Sequence, residues 1–273
     1  MMSGQSENNN WYTVVNLDPH LHPSIGRMQL ILHNAHALLT EKKCTTEEEV
    51  IDFAVEADAV IAAQAPVTSK VIDKLKQCRV IGRLGAGTDN VDHEAATRHN
   101  IVVVYVPDFC TEEVANHALM LILACNKKLK QLDNFVRRGG WGFELAAPIP
   151  AIKDQILGLI GFGRIARNLA KKAVFLGMKV IAFDPYVSPE VFEENHSSRG
   201  TLEEILKESD YISLHIPLNK ETANFIGVKQ LKMMKSTAYL INCARGAVVD
   251  ENALFDILRQ HLIAGAALDC LKV

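Results

Sequence analysis

Leu157-Gly-Leu-Ile-Gly161-Phe-Gly163-Arg-Ile-Ala166 is the stretch that decides the fold. Gln155 to Ile160 reads as a buried strand, and Arg164 to Leu176 carries the apolar spacing of a helix. The turn between them has the form G-x-G-x-x-A. Gly161 permits a tight turn, Gly163 lets backbone approach a diphosphate with no Cβ in the way, and Ala166 keeps helix and strand close. Amides at the helix start then face the anion. A second strand, Lys179 to Asp184, completes a βαβ unit of about 30 residues, the context that gives such a turn its meaning. Asp184 stands 21 positions after Gly163. A carboxylate there accepts hydrogen bonds from adenosine ribose hydroxyls and repels the extra phosphate of NADP. Pro185 and Tyr186 supply no Arg to hold that phosphate, so the cofactor favoured is NAD.

Downstream, Tyr211 to Ile216, Thr237 to Cys243 and Gly265 to Asp269 read as further strands. Thr201-Leu-Glu-Glu204 is a capping box, and Asp250 to Gln260 a helix. His215-Ile216-Pro217, Asn242-Cys243-Ala244-Arg245-Gly246 and Asp269 therefore fall at carboxyl ends of strands, the edge where open α/β sheets take ligands. Cys243 lacks a paired base and reads as a buried apolar residue.

Upstream, strands are expected at Tyr12 to Leu17, Asp58 to Ala62, Val80 to Leu84 and Ile101 to Val106. Helices are expected from the Thr46-Glu-Glu-Glu49 capping box to about Ala57, over Val67 to Gln77, and over Val91 to His99. Thr111 to Leu132 is the longest helical pattern, with Val114, Ala118, Leu121, Ile122 and Cys125 on one face. At roughly 30 Å it is long enough to link two domains. The loop-rich join Arg138-Gly-Gly-Trp-Gly142 and Pro148, Pro150 follows. The fold class is α/β, with two doubly wound parallel-sheet domains: a disordered tail (1–10), a flavodoxin-like substrate domain (11–110) and an NAD-binding Rossmann domain (111–273).

Composition limits the alternatives. The 273 residues hold 29 Lys+Arg against 32 Asp+Glu, a net charge of −3, and 48% are apolar, enough for large cores. A pI near 6.4 without a basic stripe argues against a nucleic-acid partner. No apolar run reaches the ~18 residues of a membrane span, and the polar start is no secretory signal, so no membrane partner and a cytoplasmic location are expected. Cysteines at 44, 78, 110, 125, 243 and 270 form no CxxC, and no His pair has ligand spacing. They read as reduced, mostly buried thiols, with no metal site.

Five ordered motifs together resemble the D-2-hydroxyacid dehydrogenase family, in the branch of phosphoglycerate dehydrogenase and the C-terminal-binding-protein corepressors. They are Gly82-Arg-Leu-Gly85-Ala-Gly87-Thr-Asp-Asn-Val-Asp92, Gly161 to Ala166, Phe183-Asp-Pro185, Asn242 to Gly246 and Ala266-Ala-Leu-Asp269. The resemblance runs from about Tyr12 to Val273. It implies that Arg245 holds the substrate carboxylate and polarises the C2 carbonyl. Leu84, Gly85, Ala86 and Gly87 would offer amides to that carboxylate, with Ala86 near the cofactor and Arg83 helping with the anion. It places Arg164 and Ile165 over the pyrophosphate and Asp184 on the ribose. His215, Ile216 and Pro217 would line the cofactor pocket, Cys243 and Ala244 flank the nicotinamide, and Asp269 bond its carboxamide. The implied reaction moves hydride between the nicotinamide and C2 of a small 2-hydroxy or 2-keto acid, phosphoglycerate among those open. The Asp108–Thr111 and Trp141–Phe143 loops would help shape the side-chain pocket, in a homodimer.

The family's acid/base His and its Glu are expected beyond Asp269, whereas the sequence stops at Val273, four residues on. The expectation is a truncated chain, or one that has given up catalysis. His215 is the best stand-in for the missing His, although packing beside the adenosine half is the preferred reading. His117 on the long helix would contact the cleft or simply the interface, and His261 follows a helix end, where a cation is favoured anyway. Two functions stay open: an NAD-dependent dehydrogenase, or an NAD(H)-sensing binding protein of corepressor type.

Overall fold

A computed structural model describes residues 11–21, 25–142 and 148–272. The expected N-terminal tail and Phe143 of the expected pocket loop lie outside the described residues. The chain divides into two compact units, Met1–Phe109 and Cys110–Val273.

The first unit runs β1 (Tyr12–Asn16), α1 (Ile25–Asn34), β2 (Ala37–Glu41), α2 (Glu47–Ala54), β3 (Ala59–Ala62), α3 (Ser69–Ile72), β4 (Val80–Arg83), α4 (His93–Arg98) and β5 (Val102–Val104). Its strands form one parallel sheet in the order β2-β1-β3-β4-β5, the flavodoxin-type doubly wound order. Val15, Val60 and Ile81 on the strands pack with Val50, Ile72 and Ala95 on the helices. Thr46 caps α2 as expected, its hydroxyl accepting from Glu49 N while Glu49 returns a bond to the cap. The helix expected over 67–77 contracts to Ser69–Ile72: Lys74 N and Leu75 N turn back to Val71 O and Ile72 O, and Val67 pairs with Val91 as a β-bridge.

The second unit runs α5 (Thr111–Asn126), α6 (Leu129–Arg137), β6 (Ile156–Ile160), α7 (Arg164–Phe175), β7 (Lys179–Phe183), α8 (Pro189–Glu194), β8 (Ser198–Arg199), α9 (Leu202–Glu208), β9 (Tyr211–Leu214), α10 (Val228–Met233), β10 (Tyr239–Asn242), α11 (Glu251–Arg259) and β11 (Gly265–Leu268). All six strands pair in parallel, in the order β11-β10-β9-β6-β7-β8. Counted from β6 this is the 3-2-1-4-5-6 order of a dinucleotide fold. The period of two along β6 separates its faces. Leu157 and Leu159 face a core with Ala118 and Ile122 of α5 and Leu169 of α7. Ile160 faces the other core, with Ile205, Leu231 and Leu254 of α9, α10 and α11.

The single helix expected over 111–132 is corrected: it breaks at Lys127-Lys128, where Lys128 takes a left-handed φ of 49°. The cause is tertiary. Asn126 is buried, and its Nδ2 donates to Tyr211 Oη (3.0 Å) and Pro150 O (3.1 Å), which anchors the end of α5. The fully buried face is Ala115, Ala118, Ile122 and Asn126, while Val114, Leu121 and Cys125 are half-buried. Among the described residues no helix is long and apolar enough to cross a membrane.

Candidate dinucleotide-binding site

Because every strand of the second sheet runs the same way, the carboxyl ends of β6, β7, β9, β10 and β11 open on one edge. The sequence-predicted cofactor residues of this unit lie along that edge. The two glycines of the turn differ in what demands them. Gly161 has φ +88°, its N–H donates to Phe183 O (2.8 Å), and a Cβ on it would lie 2.6 Å from His215 O. The fold itself requires glycine here. Gly161→Ala is therefore expected to cost about 1–3 kcal/mol of stability, measured by urea denaturation. An unchanged midpoint would mean that the turn relaxes freely.

Gly163 has an ordinary extended backbone, φ −75° and ψ −167°, and a Cβ on it would meet nothing within 4 Å. Neither backbone strain nor packing asks for glycine here; it is a favoured N-cap residue, and it leaves space for a ligand to come close to the backbone. The start of α7 fits an anion for a second reason. It has no acid in its first turn and no side-chain cap, whereas α2, α9 and α11 begin on Thr46, Thr201 and Asp250 caps followed by Glu. The positive end of the α7 dipole is left without such compensation.

Asp184, just past β7, accepts from Phe162 N through Oδ2 (2.8 Å) and from Tyr186 N through Oδ1 (3.0 Å). A carboxylate offers about four acceptor positions, so a pinned Asp184 can still take ribose hydroxyls. Arg164 is exposed at the helix start, Ile165 is half-buried, and Ala166 is fully buried in the core, holding helix to strand. After β9, His215 N donates to Ile160 O (2.8 Å), and its Nε2 shares a hydrogen bond with Ser213 Oγ (2.9 Å). Burial pushes its imidazole down to about 4. A ring that is neutral at pH 7 is poorly suited to donate a proton, which favours the packing reading of His215. Ile216 packs against the second core, and Pro217 O accepts from Thr222 Oγ1 (2.6 Å).

At the end of β10, Asn242 is 1% exposed and folds the loop that follows. Its Oδ1 accepts from Ala244 N (3.0 Å) and its Nδ2 donates to Arg245 O (2.9 Å). Arg245 is half-buried, with Nη1 donating to Ala244 O (2.8 Å). Asn224 N to Ala247 O (2.8 Å) and Ile226 N to Val248 O (3.1 Å) brace the same loop from outside. The sequence places Asn242 at the ligand edge without assigning its side chain a role, though an Asn bonding the amide two residues on is a familiar turn signal. Asp269, after β11, donates from its backbone N to Asn242 O (2.9 Å), and its Oδ1 lies 3.2 Å from His117 Nε2 on α5. Nothing local in the sequence could pair residues so far apart.

Cys243 is half-buried, and burial first, then Asp269 and Cys270, pushes its thiol up to about 12, far from a nucleophile. All six cysteines are free, but only Cys44 and Cys78 are buried, which corrects the expectation of a mostly buried set.

In the first unit, Arg83-Leu84-Gly85-Ala86-Gly87 forms the turn leaving β4. Leu84 N donates to Ala62 O (2.9 Å) and Gly85 N to Arg83 O (3.1 Å). Gly85 has φ +137°, and Arg83 curls over it: Nη1 donates to Leu84 O (3.1 Å) and would lie 1.8 Å from a Cβ on Gly85. Buried Asp18 secures the neighbouring loop, its Oδ2 accepting from the amides of Ala63, Gln64 and Ala65 at 2.7, 3.0 and 3.1 Å.

A six-stranded parallel sheet in this order, with β6 leading through an open glycine turn to a helix start that has neither a side-chain cap nor an acid, has the architecture of a dinucleotide-binding domain. Residues 119–273 match the model of the D-isomer specific 2-hydroxyacid dehydrogenase NAD binding domain. Glyoxylate reductase of Thermococcus litoralis is 41% identical over 224 residues, 80% of this chain and 68% of that protein. D-3-phosphoglycerate dehydrogenase of Methanocaldococcus jannaschii is 39% identical over 233 residues, 83% of this chain and 44% of that protein. The solved structure of D-lactate dehydrogenase from Aquifex aeolicus complexed with NAD and lactic acid matches with a TM-score of 0.87 at 28% identity, over 95% of this chain and 77% of that one. The chain belongs to the D-isomer specific 2-hydroxyacid dehydrogenase family. It spans less than half the length of the phosphoglycerate dehydrogenase it matches.

Proposed function

We propose that this protein binds NAD and serves hydride transfer between the nicotinamide and C2 of a small D-2-hydroxy or 2-keto acid. The observation that carries the proposal is Gly163, which at the start of α7 opens onto free space and lets a ligand reach the first amides of the helix. Support comes from the family and from the solved relative that holds NAD and lactic acid. Bound NAD supplies the hydride acceptor. The chain's own part is to bind, orient and polarise. The amides at Arg164 and Ile165 hold the diphosphate, and Asp184 takes the adenosine ribose. His215, Ile216 and Pro217 line the adenosine side, while Cys243 and Ala244 flank the nicotinamide and Asp269 accepts from its carboxamide. Arg245 binds the substrate carboxylate and draws charge from the C2 carbonyl, a task its planar fork suits better than a lysine. In the turn after β4, steadied by Arg83, the amides of Leu84 and Gly85 are spent on Ala62 O and Arg83 O, so the part left for an anion falls to Ala86 and Gly87. A homodimer is part of the proposal, with the apolar surface of Leu119, Met120 and Phe175, the last 90% exposed, as its contact.

NAD rather than NADP follows from Asp184, whose charge meets the 2′ position of the ribose. Asp184→Ala is expected to weaken NADH by about tenfold, the worth of one or two charge-assisted hydrogen bonds, and to narrow the gap to NADPH. Fluorescence titration with both cofactors reads the change. A melting curve run beside it registers the acceptor lost to Phe162 N. Unchanged affinity for both dinucleotides would remove the ribose assignment.

A further inference from the structure

The proposed reaction gives no role to a histidine that lies against one of its residues. His117, in the second turn of α5, sets Nε2 3.2 Å from Oδ1 of Asp269, and the two side chains are 42% and 51% exposed. A pair that open to water contributes little to stability. Its connections say more. Asp269 N donates to Asn242 O, and the Asn242 side chain holds both Ala244 N and Arg245 O. One run of contacts thus leads from α5, by the approach of His117 to Asp269 and then by the hydrogen bonds at the ends of β11 and β10, to the loop of Arg245. The helix it starts from is itself fixed, since Ala118 and Ile122 are fully buried in the core shared with β6 and β10.

We infer that His117 is a positioning residue for nicotinamide recognition: it holds Oδ1 of Asp269, so that Oδ2 is the oxygen offered to the carboxamide N–H. The inference rests on the reading of Asp269 as the carboxamide acceptor. An ionised carboxylate only accepts, and a histidine donates from Nε2 in its charged form or in the matching neutral tautomer. A donor on one oxygen removes the rotamer freedom of a half-exposed Asp before the ligand arrives, so less ordering is left for binding. The carboxamide NH2 is then welcomed and a carbonyl oxygen in its place is repelled.

The test compares NADH with the reduced 3-acetylpyridine analogue, in which a methyl group replaces the amide NH2. His117→Ala is expected to weaken NADH by up to about tenfold, the upper end of what ordering one freed side chain costs on binding. His117→Gln, which retains a donor at similar reach, is expected to restore most of that loss. Affinity for the acetylpyridine analogue should stay within about twofold in all three proteins, because it has no N–H for Asp269 to accept. Equal loss for both cofactors would reduce His117 to a general structural role and overturn the inference. So would unchanged NADH affinity in His117→Ala, and either result leaves the dinucleotide site standing. A parent protein that binds neither cofactor would instead bring down the dinucleotide reading and this inference with it.

Discussion

Gly163→Val is expected to fold much as the parent does and to bind NADH about 100-fold more weakly. The backbone at 163 is extended (φ −75°, ψ −167°), a region valine adopts without strain, and its new Cβ meets nothing within 4 Å. The one folding term is the N-cap position, where exchanging Gly for Val costs about 1 kcal/mol or less. For the ligand the cost is of another kind. A diphosphate that accepts from the first amides of α7 must pass within contact distance of the 163 Cα, and the valine methyls fill that space. Overpacking of about 1–3 kcal/mol corresponds to a 10- to 100-fold loss, and a rigid helix start places the result at the upper end. Fluorescence titration with NADH, paired with urea denaturation, separates the two terms. NADH affinity within about threefold of the parent would place the diphosphate elsewhere. Gly161→Ala is the complementary variant, destabilised through its contact with His215 O whether or not a ligand is present. The sequence motif assigns the two glycines different tasks, and the structure shows the difference in space: a Cβ at 161 collides with backbone, one at 163 meets nothing.

The same distinction marks how far the sequence could be read. Strands β6, β9 and β10 are buried on both faces and appear as runs that are apolar but for Ser213 and Asn242, and Thr46–Glu49 and Thr201–Glu204 announce their helices through reciprocal caps. Local chemistry fixes these, so they are legible. Helix α1 and strand β2 went unread because β2 is a sheet edge that buries only Ala37, and the described side chains of α1 are exposed or half-exposed, leaving no periodic apolar signal. The break between α5 and α6 has no Gly or Pro to mark it. It is set by Asn126 reaching Tyr211, 85 residues away. His117 belongs to the same class, since its partner Asp269 is identified only by the fold that brings β11 and α5 together. Asn242 does not: its side-chain partners lie two and three residues on, within the motif that names Arg245.

Arg245→Ala is expected to abolish recognition of the substrate anion while sparing most of the affinity for NADH. The loop around it is organised by backbone bonds and by Asn242, whose Nδ2 binds the carbonyl of residue 245 and not its side chain. Truncation therefore removes the guanidinium and leaves the path of the loop in place. Arg245 Nη1 holds Ala244 O at 2.8 Å, which sets the plane of the fork before any ligand arrives. Oxamate, with a carboxylate beside a carbonyl, mimics a 2-keto acid and needs no turnover, so calorimetry of oxamate binding to the NADH complex isolates this contact. Loss of a bidentate charged partner and of the donor on the carbonyl is expected to weaken oxamate by about 100- to 1000-fold, in the range found when one oxyanion donor is removed. Arg245→Lys should recover only part of this, because a point charge cannot match both oxygens of a planar carboxylate. If Lys restores parental affinity, the role is plain charge attraction and the fork is irrelevant. If oxamate binds the alanine variant as tightly as the parent, the substrate carboxylate has another host, and the hydride acceptor faces a different residue at the carboxyl edge of the sheet.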